Sequence, residues 1–108
     1  MNRMMEVDLR IEADGTRCTI EPVNEEYYTK EELQAYVGGS IVIYRLEDGY
    51  MFANPDGESL RLPYNGHGTN ILIDHGYPHC NARGVIVLAD TSHVDLTKLL
   101  NTVTVAEP

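Results

Sequence analysis

The sequence lacks the residues that several familiar kinds of protein depend on. It has no tryptophan, one phenylalanine and two cysteines, so a disulfide-dense scaffold is excluded and aromatic burial depends on seven tyrosines. No stretch approaches the roughly 20 apolar residues of a membrane span, and the N-terminus has no apolar signal core. We expect a cytoplasmic protein that does not meet a membrane. A disulfide between Cys18 and Cys80 stays open, but free thiols are favoured in such a chain.

Positive charge is also scarce. Seventeen acidic residues against eight basic ones give a net charge of −9. This balance repels phosphate backbones, so direct binding to nucleic acid is disfavoured, and it attracts basic partners. The alternative is that the protein is simply acidic, as many bacterial cytosolic proteins are.

What the chain does have is enough apolar material for one core. Its 108 residues are 43% hydrophobic, which is sufficient for a single folded domain and too little for two. No repeat, low-complexity tract or linker divides it. We predict one domain over residues 1–108.

Alternation of apolar and polar residues predicts strands. Val7, Leu9 and Ile11 alternate with charged residues, a turn at Asp14-Gly15 follows, and residues 17–23 alternate again. This predicts an N-terminal hairpin. Residues 40–46 are apolar on both faces, which is typical of a central strand.

One helix has start and stop signals. Thr29 and Glu32 have the spacing of a capping box, in which each side chain bonds to the other's backbone N–H. Leu33, Tyr36 and Val37 form an apolar face, and a Gly-Gly pair follows. The spacing predicts a helix over 29–37.

The remaining segments are weaker. Turns at 47–49 and 54–57 separate strands 50–53 and 58–62, with Leu60 and Leu62 facing inward in a meander. Residues 69–73 fit either a short helix or a strand, 84–89 a buried strand, 95–101 a short helix and 103–105 a weak strand. The predicted fold class is α+β: a mainly antiparallel sheet, one helix at 29–37 and one or two short helices.

The order of several short blocks resembles a family of small bacterial and phage proteins, domain of unknown function 3846. The blocks lie within about residues 19–90 and read Ile20-Glu-Pro, Thr29-Lys-Glu-Glu-Leu-Gln-Ala-Tyr-Val-Gly-Gly39, Asp48-Gly49, Asn54-Pro-Asp-Gly57, Leu62-Pro-Tyr-Asn65, Gly68-Thr69 and Gly84-Val-Ile-Val87. Pro55 and Gly68 depart from the family's preferences, which are an acidic residue and alanine. The resemblance implies a compact α+β domain encoded on a phage or other mobile element, and it implies no activity.

Four residues between positions 74 and 80 are of types that bind zinc or similar metals. They are Asp74, His75, His79 and Cys80. Their spacing matches no standard zinc motif, and the alternative is a solvated loop. Just upstream, a glycine-rich stretch with Asn65, His67 and Thr69 offers backbone N–H groups to an anion or a nucleotide, or simply forms a turn. We predict no cofactor. Since no nucleophile motif is present, we do not expect an enzyme.

A second set of residues surrounds the start of the predicted helix and suits a protein partner. The set is Glu25, Glu26, Tyr27, Tyr28, Glu31 and Glu32. Exposed tyrosine is enriched in interfaces, and carboxylates attract basic surfaces. We therefore expect a non-catalytic protein-binding or regulatory module, whose partner is a protein, including a basic or nucleic-acid-binding one. A DNA mimic that inhibits a host nucleic-acid-processing or defence system is the alternative, and self-association stays open.

Overall fold

The computed structural model describes residues 7–99 and 103–107, which form a six-stranded sheet with helices packed on both faces. In chain order the elements are β1 (Asp8–Ile11), β2 (Arg17–Ile20), α1 (Lys30–Val37), β3 (Val42–Arg45), β4 (Gly49–Ala53), α2 (Gly66–Asp74), β5 (Ile86–Asp90), a 3-10 turn (Thr91–His93), α3 (Leu96–Leu99) and β6 (Thr104–Val105). The α+β prediction is confirmed. None of the helices in this part of the chain has the length and apolar character to cross a membrane.

The strand order is β2-β1-β5-β4-β3-β6. Every pairing is antiparallel except that of β6, which runs parallel to β3. The predicted hairpin is confirmed: Glu12 N–H donates to Thr16 O at 2.9 Å, and Gly15 N–H donates to Glu12 O at 2.9 Å. Gly15 has φ 93°, the left-handed conformation that closes a three-residue hairpin turn.

Each face of the sheet carries its own apolar core. In β3, Val42 and Tyr44 pack with α2 and the loop after it, whereas Ile43 packs with α1 and α3. The same alternation holds in β5, where Ile86 and Val87 belong to opposite cores and are both fully buried. Because both faces of these strands are buried, their sequences are continuous runs of apolar residues. The prediction that the 40–46 segment is covered on both faces is confirmed, although β3 lies second from the edge.

The helix predicted over 29–37 is present as α1. Thr29 Oγ1 accepts from Glu32 N–H at 3.1 Å, and Glu32 Oε1 accepts from Thr29 N–H at 3.0 Å, which completes the capping box. Gly38 ends the helix with φ 80°. Leu33 and Val37 are its buried residues.

The third strand of the predicted meander does not form, and that prediction is wrong. Residues 58–62 are a series of turns, in which Leu60 N–H donates to Asp56 O at 2.9 Å and Leu62 N–H to Gly57 O at 2.8 Å. These local bonds use the groups that a ladder would need. The position beside β4 is taken by β5 instead, and Leu60 is 53% exposed.

The segments that the sequence left ambiguous are resolved as follows. The 69–73 segment is helical and starts earlier, because Asn65 caps α2 by accepting from Gly68 N–H at 3.0 Å. The buried strand predicted at 84–89 is β5, and the weak C-terminal strand is β6. The short helix predicted at 95–101 is present as α3, but its predicted end at 100–101 lies outside the described residues.

Candidate functional site

The loop that carries histidine and cysteine does not gather a metal site. In residues 7–99 and 103–107, no group of three or more His, Cys, Asp or Glu side chains could hold a metal ion. His75 Nδ1 lies 2.8 Å from Ile71 O, and Cys80 packs against the apolar core. Asp74 and His79 are exposed. The four predicted ligands are therefore not brought together as a group of three or more in the described residues.

Tyr77, in the middle of this loop, is bonded to the sheet. Its hydroxyl accepts from Arg45 N–H and donates to Arg45 O, both at 3.1 Å, and its ring packs edge-on against Tyr44. Tyr77 is 2% exposed. The loop is thus anchored to the C-terminal end of β3 by an aromatic side chain.

The predicted partner surface at the start of α1 is only partly available. Tyr28 is 1% exposed, and its hydroxyl donates to the Asp8 carboxylate at 2.7 Å. Glu32 caps α1 and also accepts from Val23 N–H at 2.9 Å. Tyr27 is half-buried, with Lys98 Nζ 5.2 Å from its ring centre. The three residues of this set that are exposed are Glu25, Glu26 and Glu31.

Two of the three predicted loop residues, Asn65 and Thr69, are buried and hydrogen-bonded within the fold. Asn65 is fully buried, and its Nδ2 donates to Ile11 O at 3.2 Å and to Gly84 O at 2.9 Å. Thr69 Oγ1 donates to Asn65 O and accepts from Ala82 N–H, both at 2.9 Å. His67 is exposed, and its ring lies so close to Gly15 that a Cβ there would approach Nε2 to 2.6 Å. Asn65 therefore fixes three chain segments relative to one another.

Those segments surround an open groove of about 620 Å³, the tyrosine groove. It lies between the C-terminal end of α1, the β1–β2 turn and the segments at 62–64 and 84–85. Its lining residues are Glu12, Ala13, Asp14, Tyr36, Val37, Gly38, Leu62, Pro63, Tyr64, Gly84 and Val85.

Tyr64 forms one wall of the groove and is 51% exposed. Its backbone is held by an antiparallel bridge to Arg83, and Gly84 N–H donates to Pro63 O at 2.7 Å. Gly84 has φ +75°, and a Cβ there would lie 3.0 Å from Leu62 Cδ1. A large exposed aromatic ring is thus carried on a backbone that is fixed on both sides.

Charge in the groove is of one sign. Among the described residues that line it, the ionisable ones besides the tyrosines are Glu12 and Asp14. Glu12 Oε2 lies 3.7 Å from Arg10 Nη2, so part of its charge is balanced. Hydrogen bonds from the Thr16 side chain and backbone N–H lower the pKa of Asp14 below its ordinary value. Asp14 is therefore fully ionised at neutral pH, at an exposed position on the β1–β2 turn.

The sequence interpretation missed the buried carboxylate of Asp8, whose partner Tyr28 belongs to the core that packs with α1. Asp8 is 2% exposed, and its Oδ2 lies 2.7 Å from both Tyr28 Oη and His93 Nδ1, while its Oδ1 accepts from Asp90 N–H at 2.8 Å. Burial, and then the hydrogen bond to Asp8, raise the pKa of Tyr28 well above its ordinary value.

A carboxylate paired with histidine can activate a nucleophile. In the described part of the chain, however, no serine or cysteine hydrogen-bonds to His93. Asp8, Tyr28, Asp90 and His93, the Asp8 cluster, link β1 to the segment before α1, to β5 and to the 3-10 turn. The alternation in β1 puts Asp8 on the face opposite Leu9 and Ile11, which in a half-buried strand would meet solvent, so no local pattern indicated its burial.

Comparison with protein-family models, with curated proteins and with solved structures finds no match for this chain. The resemblance to the domain of unknown function 3846 family, drawn from short blocks of residues, stays a prediction.

Proposed function

We propose that the protein is a non-catalytic binding module whose tyrosine groove receives an extended, basic, proline-containing segment of a partner protein. The observation that carries the proposal is the combination of a rigidly held, half-exposed Tyr64 with Glu12 and Asp14 in one groove. The proposal that the gene belongs to a phage or mobile element rests on the family resemblance alone.

Aromatic walls suit a polyproline II segment. Such a segment has no internal hydrogen bonds and presents proline rings, which pack flat against exposed tyrosine rings. It is already extended, so little conformational entropy is lost when it binds. Tyr36, half-buried on α1, and Tyr64 supply two rings to the groove, with Pro63 and Leu62 adding apolar surface.

The negative charge of Glu12 and Asp14 favours basic residues in the partner segment. Carboxylates beside an aromatic groove attract lysine or arginine flanking the proline core, and the net charge of −9 accelerates the encounter. An acidic segment would meet repulsion from the same residues. The groove therefore selects for a basic peptide.

The alternatives have less support from the side-chain positions. A DNA mimic needs a row of free carboxylates, and of the six residues predicted at the start of α1 only Glu25, Glu26 and Glu31 are exposed. A metal-binding role would need the 74–80 residues to converge, and a nucleotide-binding role in the 64–80 loop would use Asn65 and Thr69, which are already bonded within the fold.

Fluorescence anisotropy with labelled peptides tests the proposal. A peptide of alternating Pro and Arg residues is expected to bind, whereas a Pro-Glu peptide and an Ala-Arg peptide of the same length are expected to bind at least about tenfold more weakly. Tyr64→Ala should weaken the Pro-Arg peptide about tenfold, and Asp14→Asn about threefold with a smaller dependence on salt.

Tyr27→Ala is the matched control, because Tyr27 lies outside the groove and bears the same side chain. It should leave peptide affinity unchanged. Equal binding of the Pro-Arg and Pro-Glu peptides, or full affinity in Tyr64→Ala, would refute the proposal. Circular dichroism of each variant establishes that a loss of binding is not a loss of fold.

A further inference from the structure

Strand β2 forms one edge of the sheet. β1 pairs with its inner side, and in residues 7–99 and 103–107 no strand pairs with its outer side. Arg17, Cys18 and Thr19 are exposed, and no lysine, bulge or proline interrupts the strand. Exposed edges of this kind are templates for pairing with another strand.

The hydrogen bonds of the hairpin show which backbone groups point outward. Glu12 N–H donates to Thr16 O, so residues 12 and 16 are a hydrogen-bonded pair. Bonded and non-bonded pairs alternate along an antiparallel ladder. In the register of β1 and β2, Cys18 and Ile20 therefore bond inward, while Arg17 and Thr19 turn their N–H and C=O groups away from β1.

The charged side chains along this edge are complementary to those of a second, antiparallel copy of the same strand. Arg17 and Glu21 lie two positions either side of Thr19, are exposed and carry opposite charges. No ion pair involves either of them within the described ranges. If two such strands run antiparallel with Thr19 opposite Thr19, each Arg17 lies opposite the Glu21 of the other strand.

We propose that β2 pairs with β2 of a second copy around a two-fold axis at Thr19, so that one sheet continues across both copies. This register uses the outward N–H and C=O groups of Thr19 and Arg17 and forms two identical Arg17–Glu21 pairs. The same patch serves both partners, as a closed dimer requires. Pro22 stands immediately after Glu21 and ends the pairing, because it has no N–H.

The proposed dimer is weak, because its contact area is small and both copies are negatively charged. Contact along five residues buries far less than the roughly 1,000 Å² expected of a stable interface. Each copy also brings a net charge of −9, which opposes association. Self-association is therefore expected only at high protein concentration, and it is more sensitive to the two charge pairs than a large interface would be.

A charge-reversal cycle followed by sedimentation equilibrium tests the pairing. Arg17→Glu places Glu opposite Glu, and Glu21→Arg places Arg opposite Arg, so each single variant should raise the dissociation constant about tenfold. The double variant restores opposite charges in the reversed order and should recover the original affinity. Its net charge equals that of the original protein, so recovery cannot come from net charge.

Cysteine crosslinking tests the register. In the proposed dimer, the two Thr19 Cα atoms lie within the range of about 4.4–6.8 Å that a disulfide spans, whereas the two Cys18 Cα atoms are offset by two residues and lie more than about 7 Å apart. Thr19→Cys in a Cys18→Ser, Cys80→Ser background should form dimers on mild oxidation. The Cys80→Ser variant, which keeps Cys18, should not.

Three results would overturn the proposal. They are a monomer at every concentration, a double variant that fails to recover, and crosslinking through Cys18 in preference to the cysteine that Thr19→Cys introduces. Tyr64→Ala, which removes a groove wall, should leave the dissociation constant of the dimer unchanged. Conversely, the charge-reversed pair should still bind the Pro-Arg peptide, so the two proposals fail separately.

Discussion

Two buried polar side chains, Asn65 and Asp8, lie on opposite faces of the same sheet. Both are at most 2% exposed, and both are hydrogen-bonded to segments distant in sequence. They differ in kind. Asn65 is neutral and uses donors and an acceptor together, whereas Asp8 is an acceptor whose partners are all donors.

This difference decides how much stability is lost when each side chain is substituted. Asn65 Nδ2 faces two backbone carbonyls, those of Ile11 and Gly84, which can only accept. Two of the partners of Asp8 are side chains, Tyr28 and His93, and both can exchange the roles of donor and acceptor. A buried polar centre built on backbone groups therefore tolerates less change than one built on side chains.

Asn65→Asp is expected to have the largest effect. The substitution keeps the shape but removes both Nδ2 donors and sets a carboxylate against two carbonyl oxygens. Leaving buried groups without partners costs about 1–3 kcal/mol each, so the free energy of unfolding should fall by about 3–5 kcal/mol. Urea denaturation measures the loss.

Asn70→Asp is the matched control for this substitution, since Asn70 is exposed on the same helix. It adds the same charge at nearly the same place, and we expect a change within about 0.5 kcal/mol. Equal losses in the two variants would show that charge, and not the lost donors, weakens the protein.

Asp8→Asn is expected to cost less, about 2 kcal/mol, although it removes a charge from hydrogen bonds to three groups. The new amide can still accept from Asp90 N–H through its oxygen. Its NH₂ group can donate to the Tyr28 oxygen and to Nδ1 of neutral His93. Asp74→Asn, at an exposed position, serves as the control. A loss larger than that of Asn65→Asp would reverse the comparison.

The parts of the fold that depend on short-range patterns were predictable. The capping box at Thr29, the turn at Gly15 and the two apolar faces of the 40–46 segment each involve residues a few positions apart, and each is present. Residues 58–62 carried a similar alternation but form turns, because β5 occupies the place beside β4 where they would have paired.

The candidate sites were harder to predict, because the residues that hydrogen-bond to one another there are distant in sequence. Asn65 was singled out as a loop residue, but its buried role depends on Ile11, 54 positions away. Asp8 was not singled out at all, since its partners Asp90 and His93 lie 82 and 85 positions away. The placement of β5 between β1 and β4 brings those residues together, and no local pattern predicts strand order.

The smallest predicted effect is on the pH dependence of the free energy of unfolding, and it tests whether the Asp8 cluster holds the proton of Tyr28. Burial raises the pKa of Tyr44 to about 12 and that of Tyr28 higher still, whereas an unfolded chain releases these protons near 10.0. The stability that each contributes is therefore complete below about pH 10 and falls as the pH rises, by about 1.4 kcal/mol per pH unit for each group. Tyr28→Phe should remove one such contribution, so its free energy of unfolding should fall less steeply between about pH 10 and 11.

Tyr64→Phe is the matched control, because it removes a hydroxyl group from a side chain that is 51% exposed in the folded protein. Denaturant titrations at a series of alkaline pH values give the slopes. If Tyr28→Phe and the original protein lose stability in parallel, the proton on Tyr28 is not held by the Asp8 cluster. In that case the cluster would owe its stability to packing on the sheet, and the contrast with Asn65 would rest on geometry rather than on hydrogen-bond chemistry.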